Sequence, residues 1–227
     1  NGTITVSTET INAYGIFDAT TGVIIFTGDG HLYLRSTVTS LGTLSSDNGT
    51  VTYLGTDQDI FGDTYNNLII GGSTGTKMLG GNVFVNSDLT VNVDVTLDVS
   101  SSNNYSISVG GDWTDNGTFS SQEGTVNFNG NTSQVLTPGD SSFYNLTINK
   151  NAFNDSVTIA ADIDIDNQPM NHKEKTVKRF KYIPEGKNIS DIIDSLISNG
   201  FSSSRTIFSS KGFRTNATFS EIKKILS

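Results

Sequence analysis

The chain has 227 residues, of which 16% are charged and 34% hydrophobic, with a formal net charge of −9 and no cysteine. The missing thiols exclude disulfides, thiol catalysis and cysteine-ligated zinc, and no run of about 18 apolar residues offers a membrane-spanning helix. Apolar residues recur at regular spacing, which excludes disorder, and 23 Gly among many Thr, Ser and Asn suit short strands joined by polar turns.

The chain opens at Asn1 with no Met and no signal peptide, the expectation for a processed or excised segment. TIT (3–5), TVT (37–39) and TVT (50–52) each place two Thr on one strand face. Such rows are good outer-face residues, and on a flat solenoid they can also bind ice. GTLSSDNGTVTY (42–53) returns 75 positions later as GTFSSQEGTVNF (117–128), with seven of twelve positions identical. NNLII (66–70) is echoed by YNLTI (144–148), and VFVNSDLTV (83–91) by VTIAADIDI (157–165). Each piece alternates with period 2, as a half-buried strand does. LTVNVDVTLDV (89–99) predicts one long strand, with Leu89, Val91, Val93, Val95, Leu97 and Val99 sharing the core face. Phe128, Leu146 and Ile148 are the matching stacking residues.

Two designs fit this pattern. One is an antiparallel β-sandwich, with turns every 8–12 residues. The other is a β-solenoid, in which no coil can bury its apolar face alone, so similar coils stack and the text recurs. The repeat favours the solenoid. Coils of about 22 residues would give about three per repeat and roughly seven in residues 1–167, a rod about 35 Å long.

A boundary is expected near DNQPMN (166–171), where Pro169 cannot continue a strand. Residues 1–167 carry 18 acidic and three basic side chains (Arg35, Lys77, Lys150), a net −15; residues 168–227 carry five acidic and 11 basic, a net +6. The second part reads as a basic α+β module. TVKRFKYI (176–183) is a predicted strand and NISDIIDSLISNG (188–200) an amphipathic helix, capped by Asn188 or Ser190 and ended by Gly200. SRTIF (204–208) is a second strand, and TFSEIKKILS (218–227) a second helix with a Thr218/Glu221 capping box. Such a module would cap the open end of the solenoid or dock another chain.

GGDWTDNGTF, GTVNF and FYNLTI resemble repeats of large secreted surface proteins of the adhesin type, over roughly residues 40–166. The resemblance implies a right-handed parallel β-helix and a scaffold rather than an activity. It stops at Asn167, where further repeat strands and a second GGDW segment would follow. IPEGKNISDIIDSLISNGF resembles the LysM-like segment of endolytic murein transglycosylases, over fewer than twenty residues.

Catalytic signatures are sparse. His31 and His172 fall in different parts, and GGSTGTK (71–77) lacks the spacing of a phosphate loop. DIDID puts Asp162, Asp164 and Asp166 on one strand face about 7 Å apart, candidate calcium ligands and otherwise a solvated face. Nine N-x-S/T sequons occur, and Asn48, Asn104, Asn116, Asn131, Asn145 and Asn154 are the glycosylation candidates of the first part, beside Asn1, Asn188 and Asn216. The acidic field argues against nucleic acid.

The expectation is a non-enzymatic extracellular or cell-surface structural or adhesive protein. It would need no cofactor other than possible calcium, and its partners would be itself, other surface proteins or glycans. Alternatives are a carbohydrate-binding or carbohydrate-active β-helix protein and an ice-binding solenoid.

Overall fold

The computed structural model describes residues 2–45, 47–150, 155–166, 188–205, 213–215, 217 and 219–226. The chain divides into two compact units, Asn1–Gln168 and Pro169–Ser227. The first is a β-solenoid of eight turns. All its strand pairs are parallel, which excludes the sandwich.

Each turn contributes three short strands in a fixed order, and each strand pairs with its counterpart one turn away. The second face is one continuous eight-stranded sheet: Thr10–Ala13, His31–Leu34, Thr50–Tyr53, Asn67–Ile70, Leu89–Val91, Trp113–Asp115, Gln134–Thr137 and Val157–Ile159. The first face is split into Thr3–Val6, Val23–Phe26 and Thr43–Ser45, then Thr64–Tyr65, Val83–Val85, Ser106–Val109, Thr125–Phe128 and Asn145–Ile148. The third face holds Phe17–Asp18 with Val38–Ser40, the four strands from Gln58–Ile60 to Thr118–Ser120, and Ser142–Phe143 with Asp164–Ile165.

Turn length varies from 17 residues (Thr50 to its partner Asn67) to 24 (Leu89 to Trp113). The strands keep register because corners absorb the difference. At about 4.8 Å per turn the stack is about 38 Å long.

The interior is one continuous apolar column. Ile24, Leu32, Val51, Leu68, Leu89, Trp113, Leu136 and Val157 are all buried in it. Trp113 anchors an aromatic cluster, its ring centroid 4.9 Å from Phe119, 5.6 Å from Phe143 and 6.4 Å from Phe128. Where the first face is interrupted, between Thr43–Ser45 and Thr64–Tyr65, two buried tyrosines fill the core. The Phe61 amide donates to Tyr53 Oη (3.1 Å), the two hydroxyls lie 2.9 Å apart, and Tyr65 Oη donates to the Phe61 carbonyl (2.6 Å). Both polar tips are thereby satisfied inside an apolar core, as burial requires.

Two sequence expectations change. First, residues 89–99 are not one strand. Leu89–Val91 and Val95–Asp98 lie on different faces, separated by a corner in which Asp94 takes a left-handed backbone (φ 63°). The corner turns Val93 outward, 61% exposed, while Val91, Val95 and Leu97 stay buried. Alternation persists only while the strand is straight, so Val93 is not a core residue. Phe128 is buried, and Leu146 and Ile148 pack partly buried against the core.

Second, the 75-residue repeat does not equal three turns. Thr43–Ser45 is the seventh strand and its echo Thr118–Ser120 the eighteenth, so the copies lie eleven strands apart and on different faces. What recurs is a strand–corner–strand unit. Its Gly is required in both copies: a Cβ on Gly49 would run into the Phe26 ring, and one on Gly124 would come within 2.7 Å of the Tyr105 carbonyl oxygen.

In the second unit, α1 (Ile189–Ser198) starts at Asn188, whose side chain accepts from the Asp191 amide while Asp191 accepts from the Asn188 amide, a capping box. It ends at Gly200 (φ 86°), with Gly200 N donating to Ile197 O and Phe201 N to Leu196 O, a Schellman motif. Ser203–Arg205 and Phe213–Thr215 pair antiparallel, and α2 spans Phe219–Leu226. Ile192, Leu196, Ala217 and Ile222 form the core of this unit, whereas Ile197 is 52% exposed. The strand expected at 176–183 and the cap expected at Thr218 lie outside the described residues.

The corner assignment makes a direct prediction. Val93→Asp should leave the melting temperature nearly unchanged, as surface substitutions do. Val95→Asp, two residues away, should cost several kcal/mol because it buries an unpaired charge (~3 or more). Thermal unfolding of the two variants followed by circular dichroism checks the pair; equal losses would contradict the corner.

Candidate functional site

The polar chemistry of the solenoid gathers at its corners. Gln58 and Gln134 are buried, and each closes a glycine corner in the same way. Gln58 Oε1 accepts from the Gly55 amide (2.8 Å), and its Nε2 donates to the carbonyls of Leu34 (3.3 Å) and Ser36. Gln134 Oε1 accepts from the Gly130 amide (3.1 Å), and its Nε2 donates to the carbonyls of Val109 (3.0 Å) and Gly111. A lysine from the following turn completes each corner. Lys77 Nζ donates to the carbonyls of Thr56 (3.2 Å) and Thr74 (3.0 Å). Lys150 Nζ donates to the carbonyls of Gly130 (3.1 Å) and Thr132 (2.7 Å) and to Gln134 Oε1. Desolvation pulls both ammonium groups below the usual lysine range, opposed by Asp57 for Lys77 and by Asp155 and Asp112 for Lys150.

A second corner carries a ladder of short side chains. Asn67 Oδ1 accepts from the Asp88 amide (3.3 Å), Asp88 Oδ1 from the Asp112 amide (2.8 Å), and Asp112 Oδ1 from the Val135 amide (2.7 Å). Each of the three precedes a core residue, Leu68, Leu89 or Trp113. This accounts for the Asp of GGDW: it binds the next turn vertically.

Asp115 is the buried carboxylate of the solenoid, 1% exposed. It accepts from the Gly117 amide (2.9 Å) and from Ser141 Oγ (2.8 Å). Burial nevertheless raises its carboxyl above the usual aspartate range; the two hydrogen bonds oppose the shift and Asp140 adds to it.

The sequence candidates are scattered. Asp162 and Asp164 are exposed, while Asp166 is half-buried and accepts from Ser142 Oγ (2.8 Å). Only Asp164–Ile165 of DIDID is strand. Among the described residues no three His, Cys, Asp or Glu side chains gather as a metal site. The threonine pairs fall on three faces: 3–5 on the first, 37–39 on the third, 50–52 on the second. Thr50 and Thr52 are buried there rather than presented. Asn48, Asn116 and Asn131 are exposed. Asn104 and Asn145 are half-buried, Asn104 Oδ1 accepting from the Glu123 amide (3.1 Å) and Asn145 Nδ2 donating to the Glu123 carbonyl (3.4 Å). Asn188 is exposed and spends its side chain on the α1 cap. Asn1, Asn154, Asn216 and His172 lie outside the described residues.

One surface constellation was not singled out by sequence. Strand register places Thr10, Asn12 and Tyr14 directly beneath His31, Tyr33 and Arg35 on the outer side of the second face. Arg35 Nε and Nη2 donate to Asn12 Oδ1 (3.2 and 3.0 Å), and its Cζ lies 5.2 Å from the Tyr14 ring centroid and 5.7 Å from that of Tyr33. His31 stacks on Tyr33 at 5.8 Å. Tyr14 is 75% exposed. His31 Nδ1 and Thr52 Oγ1, in the same array, have no hydrogen-bond partner. The available signal was Arg35 as the only basic residue before Lys77, one turn after Tyr14.

Asp115 fixes a pH dependence. Its folded carboxyl titrates above the unfolded one, so the cost of ionising it is absent below the ordinary aspartate range and grows as pH rises to the raised value. Asp115→Asn keeps an acceptor for the Gly117 amide and reverses the second bond, its Nδ2 donating to Ser141 Oγ where the carboxylate accepted. It should therefore remove that step and unfold at higher denaturant than the parent at neutral pH; an unchanged urea midpoint at pH 7 contradicts the burial argument. Lys77→Met should cost about 1–3 kcal/mol in the same assay by leaving two corner carbonyls unbonded.

No protein-family model, no curated protein and no solved structure matches this chain.

Proposed function

We propose that the chain is a non-enzymatic extracellular surface protein, with the solenoid as spacer and adhesive surface. The observation that carries this reading is the stack itself: eight turns joined by one unbroken sheet on the second face, with an exposed tyrosine–arginine array on its outer side. The coil is taken as right-handed, as the resemblance of residues 40–166 to adhesin-type repeats implies. Residues 168–227, with net charge +6, form an α+β cap or assembly module, and their attraction for the −15 solenoid of another copy would build a filament. The exposed sequons at Asn48, Asn116 and Asn131 are positions a glycosylating host would modify.

Carbohydrate binding is the second reading, favoured by the exposed Tyr14 beside Arg35. Ice binding is weaker, because the threonine pairs are spread over three faces.

Light scattering with negative-stain microscopy of the full chain tests assembly. Head-to-tail contact between opposite charges predicts filaments at low ionic strength that shorten as salt rises past about 0.15 M. Monomeric rods at every salt concentration would leave the spacer and remove the filament. Sustained hydrolysis of any glycan by the purified chain would overturn the non-enzymatic reading.

A further inference from the structure

We propose that the Tyr14–Tyr33–Arg35 array binds a single carboxylate-bearing sugar of an otherwise neutral glycan. This deepens the adhesive reading and rests on it. Residues 1–167 contain three cations, and two of them, Lys77 and Lys150, are committed to corner carbonyls. Among the described residues of the solenoid, Arg35 is thus the exposed cation on the outer side. Its partner is the Asn12 amide oxygen rather than a carboxylate, reached through Nε and Nη2. The charge is therefore oriented without being neutralised, and Nη1 remains for an incoming acceptor.

The rings supply the other half of the recognition. Arg35 covers Tyr14 from one side, yet Tyr14 remains 75% exposed. An exposed ring face is a surface for the C–H face of a pyranose, and its hydroxyl suits a wet, polar ligand. A planar guanidinium matches a carboxylate better than a point charge does. Asn12 and Thr10, both exposed, add neutral hydrogen-bonding groups along the same array. The three elements together select a sugar that carries an acid, over a neutral sugar or an inorganic anion.

The surrounding charge sets the ligand's form. A solenoid of net −15 repels polyanions at long range. One acidic unit on a neutral chain avoids that repulsion, whereas a polyuronate does not.

The test is a titration of the full chain, by calorimetry and by NMR of the tyrosine rings, with sialyllactose, a glucuronate-terminated disaccharide, oligogalacturonate and lactose. Binding of either of the first two, at least about tenfold tighter than lactose, is expected; which one wins distinguishes a host glycoprotein glycan from a uronate polysaccharide. Oligogalacturonate should bind more weakly at low salt. Tyr14→Ala and Arg35→Gln, both at exposed positions, should each weaken binding about tenfold with unchanged melting curves, and Arg35→Lys should fall between. Equal affinity for lactose overturns the carboxylate assignment and leaves the adhesive reading intact. Full affinity in both variants overturns the location. No binding of any acidic sugar overturns the proposal, while filament formation remains a separate test of the surface-protein reading.

Discussion

The vertical hydrogen bond between turns is the constraint on which the first unit depends. In a parallel solenoid no strand can satisfy its backbone within its own turn, so each amide and carbonyl needs a turn above or below. The partner strands keep residue-for-residue register even though the turns differ in length by up to seven residues, from 17 to 24. Register fixes which side chains stack on which, and so a single apolar column forms from Val6 to Ile163.

Corners pay the backbone cost of that arrangement. A chain bending sharply between faces turns carbonyls away from any ladder, and the solenoid answers with side chains. Gln58 and Gln134 bridge the corner from within, Lys77 and Lys150 donate from the next turn, and Asn67, Asp88 and Asp112 accept from amides one turn on. The ammonium groups do at two corners what a bound cation does for carbonyl clusters elsewhere, which is to neutralise convergent carbonyl dipoles. They are therefore structural, and that leaves Arg35 as the outward cation among the described residues of the solenoid.

The faces are equivalent for folding and unequal in what they expose. The buried side of each strand needs only alternation. The outer side is free to differ from turn to turn, and it does: an aromatic and basic array on the first two turns, a carboxylate and amide ladder at the corner leading into later strands of the same sheet. A stack of this kind can vary its outer side chains without rearranging its core.

The sequence alone determined the period-2 alternation, the recurrence of strand and corner, the change of charge near residue 167 and the helix ended by Gly200, while the choice of Asn188 over Ser190 as its N-cap came from the structure. These are local properties, each set by a few neighbouring residues. Tertiary structure decided the rest. Val93 reads as core in a straight strand and lies outside because Asp94 bends the chain between faces. The repeat reads as whole turns and instead shifts by a face, since a strand–corner unit fits any face of a stack. Tyr14 and Arg35 are 21 positions apart and carry no shared motif. Only the register of Thr10–Ala13 on His31–Leu34 brings them together, because stacking makes neighbours of residues that are one turn, not one residue, apart.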